Sequence, residues 1–347
     1  MSAPKLPFFS VVICVLNGQE YLGRAIESIL AQNYPKDRFE LIVVDDGSTD
    51  NTAQVIKRYP VTHLTHPENL GIPSAHNTGL TAAKGSVFLS FDHDCIAHPD
   101  YLVNLAKGYE LANIAGVGGI VGHPTNLSGV ADHYMAAVGS GNPPSIELSA
   151  HNSLFTRFAT YVRLQVRPPK LSKNQIIRVR HINGASSSFP VEILRAVGGW
   201  DSTMHGVEDS DLCERISAAF PRLSFYTVTN AVITHDPKLS YRQLIKRPYS
   251  RGPVNLRYYR GAGTIPPIFP FPIAIIAVIG TASIVSPVLA LGGLVVAPLA
   301  FYFWWPVRAL LDGKPRYLLF SHVQMTEELA AVAGIAHGYL KMIGGRS

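Results

Sequence analysis

Residues 1 to about 120 alternate between strand-like and helix-like segments, and this alternation limits the possible folds more than any other feature of the sequence. The continuous apolar run FFSVVICVL favours a strand that is buried on both faces. The next segment, EYLGRAIESILAQ, carries its apolar residues at helical spacing. The strands FELIVVDDGSTD and SVFLSFDHD and the helices NTAQVIKRY and GIPSAHNTGLTAAKG continue the pattern. The sequence therefore predicts a doubly wound α/β domain.

Two of the predicted strands end in carboxylates, Asp45 with Asp46 and Asp92 with Asp94. Ligands of doubly wound sheets bind beyond the carboxyl ends of the strands, so we expect both pairs to face one crevice. Carboxylates at positions i and i+2 suit Mg²⁺ or Mn²⁺, which often share their coordination shell with substrate phosphates. A D-x-D spacing alone is frequent by chance, and a turn before a helix capped by Asp100 is the alternative explanation.

The net charge indicates which partners are favoured, and the spacing of the cysteines indicates which structural sites are disfavoured. A net charge of +6 favours acidic partners, such as phosphates or an anionic membrane surface. Three cysteines lie far apart without C-x-x-C spacing, which argues against a disulfide framework or a zinc site. The apolar run that starts at Phe8 has no basic region followed by a cleavage site, so we interpret it as a first strand and not as a signal peptide.

No charged residue lies between Arg260 and Arg308. One membrane crossing needs ~20 apolar residues, so we predict two transmembrane helices over 264–310 that turn near Pro287. Tyr302 and the two tryptophans after it are typical of an interfacial aromatic belt. A buried hairpin of a soluble core and a re-entrant pair are the alternatives. Basic residues on both flanks predict that both flanks are cytoplasmic: Arg242, Lys246, Arg247, Arg251, Arg257, Arg260, Arg308, Lys314 and Arg316.

Three ordered motifs resemble one enzyme family. The segment SVVICVLNGQEYLGRAIESILAQNYPKDRFELIVVDDGSTDNT closely resembles the opening of the inverting family 2 glycosyltransferases of the GT-A fold. The segment NLGIPSAHNTGLTAAKGSVFLSFDHD resembles the part of that family that leads to its D-x-D motif, and GGWDSTMHGVEDSDLCERI resembles its acceptor-side segment. The resemblance covers residues 8–236 and implies a Rossmann-like nucleotide-diphospho-sugar transferase domain.

The resemblance also implies a role for each matching residue. The implied donor-binding residues are Asn17, Asp46 and Asp92, with Asp45 supporting the loop. The implied ligands of Mn²⁺ or Mg²⁺ are Asp92, Asp94 and His235. The implied acceptor-binding residues are Glu208, Trp200 and Asp201, and the implied catalytic base is Asp209. Without the resemblance, Asp209 could simply cap its helix, and His235 could be an ordinary histidine at the end of a strand.

The sequence departs from the family pattern in three places. Leu16 stands where members commonly have an aromatic residue, so the resemblance implies a looser contact with the donor base. His76 stands where an arginine is frequent, so a contact with the diphosphate would be reduced to one hydrogen bond. The Q-x-x-R-W motif of processive members is absent, and we therefore expect the addition of a single sugar.

The implied mechanism is a direct displacement. Asp209 would take the proton of the acceptor hydroxyl as a general base, and the metal would neutralise charge on the departing nucleoside diphosphate. We expect a donor with a nucleoside diphosphate, UDP before others, and no nucleic acid partner. The expected acceptor is a lipid-linked glycan or a polyprenyl phosphate at the cytoplasmic face of the cell membrane. The alternatives are a soluble polysaccharide or protein acceptor, a non-catalytic nucleotide-binding membrane scaffold and, more remotely, a nucleotidyl transferase.

The predicted domain plan follows from these assignments. It comprises a GT-A catalytic domain (1–240, with a nucleotide half over 1–120 and an acceptor half over 180–240), a basic interfacial segment (241–263), two transmembrane helices (264–310) and a C-terminal amphipathic helix (311–347). The segment FTRFATYVRLQVRPPK, residues 155–170, is either a basic amphipathic helix at the membrane surface or a solvated helix of the domain.

Overall fold

The computed structural model describes residues 6–124, 126–127, 129–138, 159, 162–163, 165–166, 172–204, 206–235, 240–261 and 271–344. The strands are β1 (Phe9–Val15), β2 (Phe39–Asp45), β3 (Thr62–Thr65), β4 (Val87–Asp92), β5 (Cys95–Ala97), β6 (Ile114–Gly122), β7 (Ile176–Val179), β8 (Ser186–Pro190) and β9 (Ser224–His235). The helices are α1 (Leu22–Leu30), α2 (Thr52–Ile56), α3 (Ile72–Ala82), α4 (Tyr101–Gly108), α5 (Val130–Val138), α6 (Val191–Ala196), α7 (Glu208–Ala219), α8 (Tyr241–Gly261), α9 (Phe271–Val285), α10 (Pro287–Phe301), α11 (Trp304–Leu311) and α12 (Tyr317–Ile343).

The described residues fall into two units. The first unit holds residues 6–124, 126, 172–204 and 206–235, which include all the strands named above. The second unit holds residues 127, 129–138, 159, 162–163, 165–166, 240–261 and 271–344, which are helical for most of their length. The predicted amphipathic helix over 155–170 lies mostly outside the described residues.

The first unit is built on a mixed sheet of nine strands within the described residues. Its strand order is β3-β2-β1-β4-β8-β6-β9-β5, and β7 pairs with β9. The four strands from β3 to β4 are parallel, as the doubly wound pattern predicts. Strand β8 runs antiparallel to both β4 and β6, and β9 runs parallel to β6.

Helices cover both faces of this sheet, because the side chains of its central strands alternate between two buried clusters. Val11 and Ile13 pack in the cluster that contains α1 and α4, whereas Val12 packs in the cluster that contains α3, α6 and α7. Gly79 of α3 lies directly against Val12, where a Cβ atom would overlap the valine side chain. This close approach brings the start of α3 to the end of β1.

The register of the parallel strands sets their acidic ends side by side. Cys14 of β1 pairs with Asp92 of β4, and Val15 pairs with Asp45 of β2. The backbone N–H of Asp46 then donates to the carbonyl of Val15 at 2.8 Å. The expectation that both acidic pairs face one edge of the sheet is thus met.

In the second unit, α9 and α10 pack against each other as a helical hairpin. The chain turns at Ser286, whose hydroxyl caps α10 by accepting from the N–H of Val288. Each helix has 15 residues and is therefore about 22 Å long. Of the residues that the structure describes, no single helix has both the length and the apolar character of a membrane span. Helices α10 and α11 meet both criteria only as a pair with a bend of 70°.

The predicted interfacial aromatic belt is wrong. Tyr302, Trp304 and Trp305 are each 0% exposed and pack in the apolar core of the second unit. The reason is a buried polar anchor: both indole N–H groups donate to the side-chain carbonyl of Gln324, at 3.1 and 2.7 Å, and the phenol of Tyr302 donates to Glu328 at 2.7 Å. A buried N–H or O–H without a partner is costly, so these contacts fix the aromatic residues inside.

Candidate functional site

A cavity of about 620 Å³ lies at the carboxyl edge of the parallel strands in the first unit. Its walls come from the end of β1, the residue after β2, the start of α3 and the turn after β4. The lining residues are Cys14, Val15, Leu16, Asp46, Asn69, Leu70, Gly71, Ile72, Ala75 and His93. Of the four acids expected to face one crevice, only Asp46 lines this cavity, so that expectation is met in part. The cavity has the size of a small-molecule site.

Asp46 fixes the wall of this cavity that Leu70 and Gly71 form, just before α3. One of its carboxylate oxygens accepts from His66 at 2.6 Å and from the N–H of Leu70 at 3.0 Å, and the other accepts from the N–H of Gly71 at 2.8 Å. The residue is 4% exposed. Asp46 thus lies at the cavity, where the resemblance places a donor-binding acid, and it also orders the loop before α3. Sequence reasoning missed His66, because no motif marks it.

Asn17 is used for local structure as well. It has a positive φ of 54°, its N–H donates to the hydroxyl of Ser48 at 2.9 Å, and its side-chain oxygen accepts from the N–H of Thr49 at 2.9 Å. Asp45 accepts from the N–H of Ser48 at 2.9 Å, which confirms that it supports this loop. The Asn17 side chain therefore holds two loops together at the edge of the cavity.

The predicted metal ligands come together. Ligand atoms of Asp92, Asp94, Cys95 and His235 all lie within 4.8 Å of one another. Strand β5 makes this possible, because it pairs with β9 in a register that sets Cys95 opposite His235. The Nε2 atom of His235 lies 3.1 Å from a carboxylate oxygen of Asp94. Two carboxylates and an imidazole form a donor set that suits Mn²⁺ and similar ions, so these residues fit the implied metal.

The two aspartates of the cluster titrate differently. Burial, and then the neighbouring charge of Asp94, raise the pKa of Asp92 above its ordinary value. Burial acts in the same direction on Asp94, but the hydrogen bond and the charge of His235 outweigh it, so the pKa of Asp94 is lowered. Two acids held at one point with opposed shifts are typical of a functional site, because a bound cation would relieve their repulsion.

Asp209 lies in the first turn of α7, and its carboxylate occupies the space beside Gly184. A Cβ atom at position 184 would overlap that carboxylate, so only glycine leaves room for it there. Glu208 accepts a hydrogen bond from the N–H of Gly206, and its charge contributes to the raised pKa of Asp92.

Two residues predicted at the site are buried instead. Trp200 is 2% exposed and packs against Phe88 and Phe189, so the prediction that it contacts the acceptor is not met by this structure. His76 is 5% exposed, lies 4.7 Å from the Trp200 ring and bonds to Ser90, and burial lowers its pKa to about 4. His76 is buried and does not line the cavity, so this structure does not support a diphosphate contact, and the one hydrogen bond implied for His76 stays a prediction.

The remaining acids near α7 have structural partners. Asp201 accepts from the N–H and the hydroxyl of Thr203, both at 2.8 Å, and thereby closes the turn after Trp200. Asp211 pairs with Arg215 at 2.7 Å, which confirms the pairing expected from their i, i+4 spacing. Sequence reasoning missed Asn77, whose amide group binds both the N–H and the carbonyl of Trp200, at 2.9 and 2.8 Å.

Residues 10–158 match the family described as Glycosyl transferase family 2. This segment is therefore similar to family 2 glycosyltransferases. The glycosyltransferase AglE of Haloferax volcanii is 33% identical to the chain over 102 residues, which are 28% of this chain and 34% of that protein. A pre-mycofactocin glycosyltransferase of Mycobacterium tuberculosis is 29% identical over 252 residues, 71% of this chain and 46% of that protein.

A third relative of the chain is a dolichyl N-acetyl-alpha-D-glucosaminyl phosphate 3-beta-D-2,3-diacetamido-2,3-dideoxy-beta-D-glucuronosyltransferase of Methanococcus voltae. It is 32% identical over 127 residues, 33% of this chain and 39% of that protein. The chain thus spans between about a third and a half of the length of these curated relatives.

Two solved structures resemble the chain in fold. The mannosyltransferase PcManGT from Pyrobaculum calidifontis, in complex with GDP-Man and Mn²⁺, aligns over 97% of this chain and 88% of its own, with a TM-score of 0.58 and 20% identity. GalNAc-T7 with UDP, GalNAc and Mn²⁺ aligns over 71% of this chain and 48% of its own, with a TM-score of 0.50 and 17% identity. These likenesses support the predicted GT-A-like α/β fold.

Proposed function

We propose that this protein is a metal-dependent, inverting glycosyltransferase that moves one sugar from a nucleoside diphosphate sugar to an acceptor hydroxyl. The observation that carries the proposal is the cluster of metal-ligating side chains at the ends of β4 and β9. Asp92, Asp94 and His235 lie within ligand distance of one another, and Glu208, beside Asp209, contributes to the charge environment of Asp92. The match to family 2 over 10–158 supports the reaction class.

Different residues of the first unit would bind the donor, deprotonate the acceptor and hold the metal. The cavity beside Asp46 would receive the nucleotide, with Leu70 and Ile72 offering apolar surface to the base. Asp209 would take the proton of the acceptor hydroxyl, because a free alcohol is a poor nucleophile. A divalent ion held by Asp92, Asp94 and His235 would supply positive charge to the leaving diphosphate. One general base and a direct attack invert the configuration of the sugar.

The donor is proposed from the solved neighbours. PcManGT was solved with GDP-Man and GalNAc-T7 with UDP, and both structures contain Mn²⁺. These ligands support a nucleoside diphosphate donor and a divalent metal, and UDP-sugars are the first donors to test, with GDP-mannose next.

We further propose that the second unit attaches the enzyme to the cytoplasmic face of the cell membrane and that the acceptor is lipid-linked. The tip of the hairpin supports this, since Ile284, Val285 and Val288 are 86%, 73% and 75% exposed. Large apolar side chains exposed together favour contact with lipid or with another protein. The basic residues that flank 264–310 support the cytoplasmic orientation.

A binding panel followed by a transfer assay tests the reaction. Thermal unfolding of the full chain would be measured with UDP, GDP and their sugars, each with and without Mn²⁺, because a ligand that binds the native state raises the melting temperature. Radiolabelled donor would then be incubated with extracted lipids. We expect a metal-dependent thermal shift and label in the organic phase. Label that enters only water-soluble polymer would replace the lipid acceptor by a soluble one.

The variant Asp209→Asn separates an enzyme from a nucleotide-binding scaffold. It should abolish transfer and leave the donor-induced thermal shift intact, because the general base does not hold the nucleotide. Asp211→Asn is the matched control, since Asp211 is an acid of the same helix that pairs with Arg215. Transfer at the wild-type rate in Asp209→Asn would refute the catalytic assignment.

A further inference from the structure

Helices α8 and α12 of the second unit enclose a second cavity, a groove of about 620 Å³. It is lined from α8 by residues at positions i, i+3 and i+4, which are Arg242, Ile245 and Lys246. From α12 it is lined at the same spacing by Thr326, Leu329 and Ala330, and by Ala333 one turn further along. Each helix thus turns one face to the groove, and the two faces differ: one carries charge and the other is apolar.

Packing of the two helices gives the groove fixed walls. A Cβ atom at Gly252 would overlap the backbone of Gly334, and a Cβ atom at Gly334 would overlap the carbonyl of Tyr249. Two side-chain hydrogen bonds tie the walls together, from Tyr241 to Thr326 at 2.6 Å and between Tyr249 and His337 at 2.8 Å. Backbone contact at the glycines leaves no freedom for the helices to close over the groove.

Among the residues that the structure describes, no carboxylate pairs with the cations at the rim, Arg242 and Lys246. Helix α8 itself contains no Asp or Glu. The nearest acids along α12 are engaged elsewhere, because Glu327 accepts from Tyr134 and Glu328 accepts from Tyr302. Two cations four residues apart on a helix repel each other, and an anion between them would remove that cost.

We propose that this groove binds a lipid with a phosphate headgroup. The headgroup would contact Arg242 and Lys246, and the apolar chain would lie along the floor formed by Ile245, Leu329 and Ala330. A phosphate accepts charge-assisted hydrogen bonds from arginine and lysine, and an alkyl or isoprenoid chain gains free energy where the floor is apolar. A free phosphate would leave that floor in contact with water.

The surroundings of the groove favour a lipid over an acidic peptide. Large apolar side chains of the same unit are strongly exposed, among them Leu310 at 85%, Leu340 at 67% and Ile343 at 67%. Such a surface is suited to a lipid environment, from which a chain could enter the groove without crossing water. The proposal concerns binding alone and goes beyond the transfer reaction proposed above.

Photo-crosslinking in vesicles tests the proposal. The full chain would be reconstituted in phosphatidylcholine vesicles that contain phosphatidic acid with a photoreactive diazirine in its acyl chain, and labelled peptides would be mapped by mass spectrometry. We expect label in peptides that contain residues 242–249 and 326–333. The pair Arg242→Gln with Lys246→Gln should lower that label at least about tenfold, because each lost charge-assisted contact is worth about that much in affinity. Ala333→Leu, which fills the groove and keeps its charge, should lower it too.

The matched control is the pair Arg251→Gln with Arg257→Gln, which removes the same charge from the same helix outside the groove lining. It should keep the wild-type label, and equal loss in both pairs would overturn the proposal in favour of general attraction to an anionic surface. Displacement of the label by inorganic phosphate or by polyglutamate would overturn it in favour of a free anion or an acidic peptide. Asp209→Asn should label like the wild type, so failure of the proposed reaction and failure of this proposal are distinguishable.

Discussion

The carboxylate of Asp209 fills the space beside Gly184 that a Cβ atom would take in any other residue. Gly184 lies between β7 and β8, whereas Asp209 lies at the start of α7, so the contact joins two parts of the first unit that are distant in sequence. Asp209 can therefore keep its position only while residue 184 has no side chain.

Gly184→Ala should slow sugar transfer at least about tenfold, because the new methyl group would displace the proposed general base, whose usual contribution is that large or larger. Donor binding should remain, since the nucleotide cavity is lined by other residues. Steady-state kinetics and a donor thermal shift would measure the two effects. Gly122→Ala is the control, because a Cβ atom there meets no atom closer than 3.4 Å. Wild-type kcat in Gly184→Ala would contradict the assignment of Asp209.

His235→Gln should weaken Mn²⁺ binding at least about tenfold, because even residues that only support metal ligands have effects of that size. Titration calorimetry with MnCl₂ would measure the affinity. The control is His98→Gln, which removes an exposed imidazole that contacts Thr234, the residue before His235 in β9. This variant should bind Mn²⁺ as the wild type does. If His235→Gln retains full affinity, the histidine is not a ligand, and the carboxylates of Asp92 and Asp94 hold the ion without it.

His76 should make the first unit sensitive to acid. Burial lowers its pKa from 6.5 to about 4, so the folded protein favours the neutral imidazole more than the unfolded chain does. The free energy of unfolding is therefore unaffected by the titration of this histidine above pH 6.5, and it decreases as the pH falls towards 4, because the unfolded chain takes up the proton first. The loss amounts to about 3 kcal/mol in the free energy of unfolding. Urea unfolding of the wild type and of His76→Gln at pH 7 and pH 4.5 would measure it.

The variant should lose less stability on acidification than the wild type, although it would be less stable at neutral pH because the imidazole packs on Trp200. His98→Gln removes an exposed histidine and should keep the wild-type difference between the two pH values. An equal acid response in His76→Gln and in the wild type would show that other groups dominate.

Glycines of the second unit should respond to alanine in opposite ways. Gly334→Ala should lower the free energy of unfolding by about 1–3 kcal/mol, because overpacking would push α12 away from α8. Gly280→Ala should leave it unchanged or raise it by about 0.5–1 kcal/mol, because no atom lies within 4 Å of a Cβ atom there and alanine favours the helix. Thermal unfolding in one detergent would compare the two. A larger loss in Gly280→Ala than in Gly334→Ala would contradict the described packing.

Local patterns in the sequence were enough to predict the nucleotide-binding half. The period of the apolar residues predicts β1, β2, β4 and the helices between them, and their parallel register brings Asp46 and Asp92 to one edge as expected. The insertion of β8 between β4 and β6 was out of reach, because an antiparallel partner about a hundred residues away leaves no local signal.

The differences between the expected and the observed site have a common physical origin. Trp200 and His76 are residues that a binding site could use, but their neighbours decide whether they face a cavity or the core, and both pack under Phe88. The role of Gly184 was equally hidden, because the sequence does not show which side chain needs the space beside a glycine. Asp94 and His235 were predictable only together with the family pattern, since a D-x-D spacing and a single histidine are common alone.

Strand β5 has only three residues, yet its pairing with β9 places Asp94 next to His235. An ion bound by Asp94 and His235 would also hold the edge strand β5 against its neighbour β9. The N–H of His98 donates to the carbonyl of Val232 in β9 at 3.1 Å, so removing the ion should speed amide hydrogen exchange at His98 well before the rest of the sheet responds.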